Sequence, residues 1–311
     1  MLRLNCRIKI GELSFTRVHE VVITSSWKNL TDTATIKLPR SLTVGNEKLK
    51  EVITTGQEVE VKLGYNGQLA TEFTGYVAEP PNAEIPFSIK CEDEMWQLKQ
   101  TSYTKGWESA NLQDVVSHIA SGYQTDVLNA ELGPVRYSKK SAAKVLKQLK
   151  DDFGLVSYFK NGKLVVGKTY LDNQETVKYD FGRNIIDNDL TFKKVDEVKL
   201  KVEAISIKPN GQKITEELGD QDGESRTLHF YDLDQGELKK RAEEEMERLR
   251  FAGYRGSFQT FGIPLAGHGW EAELKDRNYP ERGGTYFIDQ VNSKFGMDGF
   301  KRKIELGPKA A

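Results

Sequence analysis

The sequence predicts a β-rich α+β protein in which a small α+β unit stands between two β segments. Apolar residues alternate with polar ones through most of the first 95 residues and again after Val198, the period of a half-buried strand. Asn-Gly pairs follow such runs at positions 66–67, 161–162 and 210–211. That dipeptide suits type I′ hairpin turns, whose two central residues both need positive φ. Helical spacing appears in two stretches of the middle segment and in one long stretch after Asp234.

The first segment reads as strands throughout. Leu2, Leu4, Cys6, Ile8 and Ile10 alternate, Val21 to Ile23 form a short apolar run, and Ala34, Ile36 and Leu38 alternate up to Pro39. Proline lacks the N–H that a ladder needs, so it ends the strand. Val59, Val61, Leu63 and Tyr65 lead into Asn66-Gly67, and Phe73 to Val77 return. Pro80-Pro81 breaks the chain before Phe87, Ile89 and Cys91. Short strands separated by turns suggest a small barrel or sandwich.

In the middle segment Leu112, Val115, Val116, Ile119 and Tyr123 share one helical face, with Asn111 as N-cap, Asp114 at the third position and Gly122 in the closing turn. A second helix starts at Ser141, shows Val145, Leu146 and Leu149 on one face, and stops at Gly154. Leu155 to Phe159, Asn161-Gly162 and Leu164 to Val166 then form a hairpin.

In the last segment Val198, Leu200, Val202 and Ala204 alternate toward Ile207, and Asn210-Gly211 turns the chain. Glu216 to Glu224 read as a solvated acidic loop, because Asp220 and Asp222 lack the full spacing of a calcium loop. Asp234 and Glu237 open a long helix in capping-box fashion. Its stripe is Leu238, Ala242, Met246 and Leu249, and Gly253 ends it. Its opposite face, through Lys239, Lys240, Glu243 to Glu245 and Glu247, is a wet charged surface or, in the sharper reading, a salt-bridged contact with a neighbouring subunit. Strands resume at Ser257 to Phe261 and Trp270 to Leu274, and a final hairpin runs from Tyr286 to Leu306 around Met297, Asp298 and Gly299.

Composition narrows the function classes. A chain of 311 residues, 38% hydrophobic and 29% charged, has material for two or three domains. The 45 basic and 46 acidic residues leave a net charge of −1, so no long-range field gathers nucleic acid or anionic membrane. No run approaches the roughly 20 apolar residues of a membrane helix. The N-terminal residues show no signal-peptide pattern, and the reading is of a protein made and folded in the cytoplasm without membrane insertion. Cys6 and Cys91 sit at inward strand positions and read as small buried hydrophobes.

No catalytic, cofactor-binding or metal-ligating residue is assigned, and no cofactor is expected. The histidines, His19, His118, His229 and His268, do not pair at metal-ligand spacing, and His118 reads as surface or half-buried between Val115 and Ile119. Gly267-His268-Gly269 reads as a turn between two strands. Glycosidase chemistry needs two carboxyls held roughly 5–10 Å apart across a cleft. Asp151 and Asp152 are neighbours at a helix end, and Glu243 to Glu245 point around a helix surface, so neither set supplies that pair.

Three stretches carry a resemblance. Val22-Ile23-Thr24-Ser25-Ser26-Trp27 leads to Leu30-Thr31-Asp32-Thr33-Ala34-Thr35-Ile36-Lys37-Leu38-Pro39. The Leu146 helix is followed by Phe153-Gly154-Leu155, Tyr158-Phe159 and Asn161-Gly162-Lys163-Leu164. The third stretch runs from Gly253 through Gly256, Gly262-Ile263-Pro264, Gly267 and Trp270 to Gly284-Thr285-Tyr286-Phe287-Ile288, Val291 and Gly299-Phe300. In that order the chain resembles the late control protein D family of phage tails, the baseplate hub proteins, and is similar to the N-terminal hub part of type VI secretion spike proteins.

The resemblance implies two small β-barrel domains with an α+β insertion, here 1–95, 96–185 and 186–311. It implies a non-enzymatic homotrimer forming a ring between a tail tube or tube-initiator protein above and a spike protein below, within a phage tail or tail-like particle. The sequence stops at Ala311, which leaves no room for a further needle or lysozyme domain, so those are expected on separate proteins. The competing readings are a cell-wall glycosidase or amidase, and a β-barrel carbohydrate-binding module.

Overall fold

The computed structural model describes residues 3–39, 43–44, 47–81, 87–172 and 174–310. Leu2, which heads the first alternating string, and Ala311 lie outside them. Among the described residues thirteen strands form one sheet. Its hydrogen-bonded path runs Ile185–Asn188, Ser257–Phe261, Gly299–Lys309, Gly284–Gly296, Glu20–Ser26, Thr33–Leu38, Phe87–Glu92, Gln68–Val77, Glu58–Tyr65, Leu4–Ile10 and Leu13–Phe15. Glu271–Lys275 branches from Gly284–Gly296 and carries Thr176–Asp180 in parallel.

The β-rich α+β class is as the sequence predicts, but two closed barrels are not what the strands form. The halves share one open-ended sheet because each offers an edge strand, Glu20–Ser26 or Gly284–Gly296, and pairing them satisfies both rows of backbone groups. The cores interlock across this joint. The first core gathers Ile8, Ile10, Val21, Ile36, Leu38, Val61, Leu63 and Ile89, and also Phe295 and Phe300 from the last hairpin. Cys6 and Cys91 are buried there as free thiols, and burial pushes them up to about 11 and about 12.

The Asn66-Gly67 and Asn161-Gly162 turns have positive φ at both residues, and they join Tyr65 to Gln68 and Lys160 to Lys163. The third is different. Only Gly211 is left-handed, within a longer loop between Ile207 and Lys213.

The α+β unit has its own core from Met95 to Val166. Asn111 caps the Leu112–Ile119 helix by accepting from the Gln113 N–H. That helix closes at Ala120 rather than at Gly122. Ser141 caps the Ala142–Phe153 helix, and Gly154 ends it at φ 70°. A Cβ on Gly154 would stand 2.2 Å from the His229 ring, so both conformation and space demand glycine there. The Ser157–Lys160 and Lys163–Val166 hairpin gains a parallel neighbour, Gln124–Val127. A further hairpin, Ser102–Asn111 with Glu131–Ser141, had no sequence signal, because most of its side chains face solvent.

The last unit has a core around Tyr179, Phe258, Tyr286, Ile288 and Ile304. The Gln235–Leu249 helix is capped reciprocally by Asp234 and Glu237 and buries Leu238 and Ala242 against Leu200–Ile207 and Lys213–Gly219. It ends at Leu249, and Gly253 instead opens a short strand. The acidic stretch is mostly strand as well. Lys213–Gly219 continues the hairpin with Ile214 and Leu218 against the helix core, and Glu224–Tyr231 runs parallel to Leu200–Ile207. Only 220–223 remain as the turn.

Candidate functional site

Among the described residues the buried polar side chains of Ser26, Asp289, Ser293 and Arg302 lie where the two β halves meet. Glu20–Ser26 and Gly284–Gly296 run antiparallel there, from Glu20 opposite Gly296 to Ser26 opposite Gln290. Beside this seam, strand Gly299–Lys309 turns Phe300, Arg302, Ile304 and Leu306 inward, so period two delivers an arginine to a core position. All five guanidinium donors find acceptors. Nη1 donates to Glu72 Oε2 at 2.7 Å and Ser293 Oγ at 2.7 Å. Nη2 donates to Glu72 Oε1 at 2.6 Å and the Gly262 carbonyl at 2.7 Å, and Nε reaches the same carbonyl at 3.0 Å. The two side chains are 2% and 3% exposed.

A β-bulge aims Glu72 at this partner. Val61 opposes Phe73 while Lys62 opposes Thr71, so Glu72 is the extra residue between them. Gly262 has to be small, because a Cβ there would lie 2.1 Å from the Phe300 ring. The pair thus ties the Gln68–Val77 strand of the first half to two segments of the last.

A second polar knot lies along the seam. Asp289 accepts from the Trp27 indole at 3.0 Å and from the Tyr170 hydroxyl, and it pairs with Lys28 at 2.9 Å. Its carbonyl accepts from Ser26 Oγ at 3.0 Å. Lys150 Nζ donates to the Lys28 carbonyl at 2.6 Å, which brings the α+β unit to the same place.

All three parts of the chain wall a cavity of about 340 Å³. The first half supplies Ser25, Asp32, Asp93 and Glu94, the α+β unit supplies Lys160, and the last half supplies His268. Asp93 clamps its surroundings by accepting from Thr31 Oγ1 at 2.7 Å and from the N–H groups of Asp32 and Met95 at 3.0 Å each. Asp32 accepts from the Ser26 N–H at 3.0 Å. Burial, with Asp93 nearby, pushes the Asp32 carboxyl up to about 7, and burial pushes Asp93 up to about 6. Burial lowers His268 to about 4, helped by Lys160, and brings Lys160 itself down to about 8.

Ser25, His268 and Asp32 have the composition of a nucleophilic triad but not its wiring. Ser25 Oγ lies 2.7 Å from His268 Nδ1, and Asp32 Oδ2 lies 3.8 Å from the same nitrogen. A relay needs serine and carboxylate on opposite ring nitrogens. Here Nε2 faces neither and has no hydrogen-bond partner. Asp151, Asp152, Glu243 and Glu244 are exposed, and none lines the cavity.

Residues 40–256, more than half of the chain, match the family described as the Alg8 N-terminal domain. The chain belongs to the Alg8 N-terminal domain family. No curated protein matches the sequence. Among solved structures it is similar to the tail protein from Neisseria meningitidis MC58, at 16% identity and a TM-score of 0.65, covering 98% of this chain and 96% of that one. It is equally similar to the 43 kDa tail protein of prophage MuSo2 from Shewanella oneidensis, at 16% and 0.65, with 98% of each chain covered. The Escherichia coli c3393 protein is a component of the type VI secretion system with structural similarity to the bacteriophage T4 tail proteins gp27 and gp5. It matches at 10% identity and a TM-score of 0.61, over 97% of this chain and 77% of its own. The fold is therefore that of phage tail and type VI hub-like proteins.

The sequence placed no residue in this site. Arg302 did carry a signal, a charge at an inward position of the alternating Phe300, Arg302, Ile304, Leu306 string. Glu72 carried none, since a bulge shifts its phase. His268 lies in the expected turn before Glu271–Lys275, but nothing local shows that this turn folds against Ser25 and Asp32.

Proposed function

We propose that this chain is a structural baseplate-hub subunit of a contractile phage tail or related injection machine, close in kind to the late control protein D proteins. Three copies form a ring that joins the tail tube, or its initiator, to a central spike. The observation that carries this reading is the end-to-end likeness to two phage tail proteins, 98% of this chain against 96% and 98% of theirs. The likeness to the type VI component supports the spike as partner.

In this reading 1–95 and 186–311 are the ring-forming β domains and 96–185 holds the inserted α+β domain, although its Thr176–Asp180 strand packs in the sheet and core of the last β domain. Two related β domains in each of three copies present six similar surfaces, and closed cyclic symmetry makes the assembly finite. The seam suits such a role, since a continuous sheet and a buried ion pair hold both β domains at one angle. The subunit performs no catalysis, and the Ser25, His268 and Asp32 wiring accords with that. It is made in the bacterial cytoplasm and assembled into the tail particle. Among the described residues no helix is long and apolar enough to cross a membrane.

The test is solution mass by light scattering after size exclusion, over a concentration series, with and without the candidate spike protein. A trimer in either condition supports the hub. A monomer in both, or hydrolysis of purified cell wall that a single carboxylate substitution abolishes, overturns it.

A further inference from the structure

Three Asn-Gly pairs, at 66–67, 161–162 and 210–211, turn the chain at its surface. The pair has a chemistry of its own besides its conformation. The glycine nitrogen can attack the carbonyl carbon of the preceding asparagine side chain, because glycine has no Cβ to obstruct the approach. The nitrogen must give up its proton, and the side-chain amide must swing onto it. A hydrogen bond that holds either group therefore slows the reaction.

The three pairs differ on this point. The Gly67 N–H donates to Asn5 Oδ1 at 2.9 Å, and Asn66 Oδ1 accepts from the Arg3 N–H at 2.9 Å, so both reacting groups are tied to the start of the chain. The Gly211 N–H donates to the Lys208 carbonyl at 2.8 Å, and Asn210 Oδ1 accepts from the Gln212 N–H at 2.9 Å. At the Asn161-Gly162 turn neither group is held. The ladder there pairs Lys160 with Lys163 and leaves the Gly162 N–H out. Among the described residues that N–H has no acceptor and the Asn161 side chain no partner. Both residues are exposed, and a Cβ on Gly162 would meet nothing within 4 Å, so a ring has room to close.

We propose that Asn161 is a site of spontaneous deamidation, and the first of the three to react in the folded protein. The Gly162 nitrogen bonds to Asn161 Cγ, the Cγ–Nδ2 bond breaks, and the glycine proton leaves with the amide nitrogen as ammonia. The product is a five-membered succinimide. Water then opens it at either carbonyl, giving an aspartyl or an isoaspartyl residue at that position. No enzyme or oxidant takes part. Either product adds a carboxylate next to Lys160 on the border of the junction cavity. The isoaspartyl form also lengthens the main chain by one methylene, in a turn whose residues have φ 53° and 74°. The site depends on the turn alone, whether or not the chain is a hub.

Peptide mapping by mass spectrometry tests it on the full chain held at pH 8.5 and 37 °C and sampled over weeks, with chromatography to separate the aspartyl and isoaspartyl peptides. The peptide holding Asn161 should change first, by the mass difference between NH₂ and OH. It should lead those of Asn66 and Asn210 by about two- to tenfold or more, the factor that one hydrogen bond supplies. In guanidinium chloride the three rates should converge, because the fold sets the order. Asn5→Ala frees the Gly67 N–H and should speed Asn66 by about two- to tenfold while leaving Asn161 unchanged. Asn5 is half-buried on the first strand, and circular dichroism checks that this variant folds. Asn161 reacting no faster than Asn66 or Asn210 in the folded protein overturns the proposal. So does a lead that persists undiminished in guanidinium chloride, or an Asn66 rate that Asn5→Ala leaves untouched.

Discussion

Replacing Glu72 by alanine should loosen the joint between the two β halves. In the wild type the Arg302 guanidinium makes five hydrogen bonds, two of them to Glu72. The variant keeps three, to Ser293 Oγ and the Gly262 carbonyl, and these carry no negative charge. A full positive charge then stays in a place where its side chain is 2% exposed. Breaking one side of such a pair costs about 3–5 kcal/mol, most of it the penalty for the abandoned charge. Urea unfolding followed by tryptophan fluorescence is a direct assay, because Trp27 sits on the seam through Asp289. With a slope of about 3 kcal/mol per molar, the midpoint should fall by about 1–2 M. The double variant Glu72→Ala, Arg302→Met removes both charges and should recover most of that loss, since an apolar replacement of a buried pair is near neutral. A Glu72→Ala midpoint within about 0.3 M of wild type, or a double variant as unstable as the single one, would refute the reasoning.

The Asp32 and Asp93 carboxyls, near 7 and 6 when folded, stand above their unfolded values, so the folded state binds more protons between about pH 4 and 7. Their contribution to stability therefore falls as pH rises through that window, and Asp32→Asn should flatten the stability-against-pH curve by up to a few kcal/mol; parallel curves would contradict this. Gly154→Ala combines a left-handed backbone with a 2.2 Å contact to His229, and thermal unfolding should show a loss of about 2 kcal/mol or more. Adding His229→Ala should return only the steric part, and a harmless Gly154→Ala would count against the geometry. Cys6 and Cys91, 7% and 1% exposed with raised thiol pKa values, should resist a thiol reagent in the native protein and react fully in denaturant; native labelling within minutes would disprove their burial.

Much of the fold was legible in order along the chain. The Leu4–Ile10, Thr33–Leu38 and Glu58–Tyr65 strands, the Asn66-Gly67 turn and the Ser141 and Asp234 caps are local patterns, and each stands where the residues placed it. The errors share one cause. Ser102–Asn111, Glu131–Ser141 and Glu224–Tyr231 are strands made by partners rather than by alternation, with much of their surface in solvent. Helix ends at Ala120 and Leu249 came before the glycines that would have marked them, because tertiary packing ended the buried stripe first.

What the sequence by itself determined is whatever depends on neighbours a few residues apart: strand phase, hairpin turns, helix caps and the near-neutral surface. What only the tertiary structure decided is how distant segments use those elements. It joined two β segments into one sheet, put Phe295 and Phe300 into the core of the first half, paired Glu72 with Arg302 across 230 residues, and closed a cavity from all three parts of the chain. Periodicity reports which face of a strand is buried. It does not report against what, because a strand edge and an inward charge are satisfied by any partner of the right geometry, wherever in the chain that partner lies.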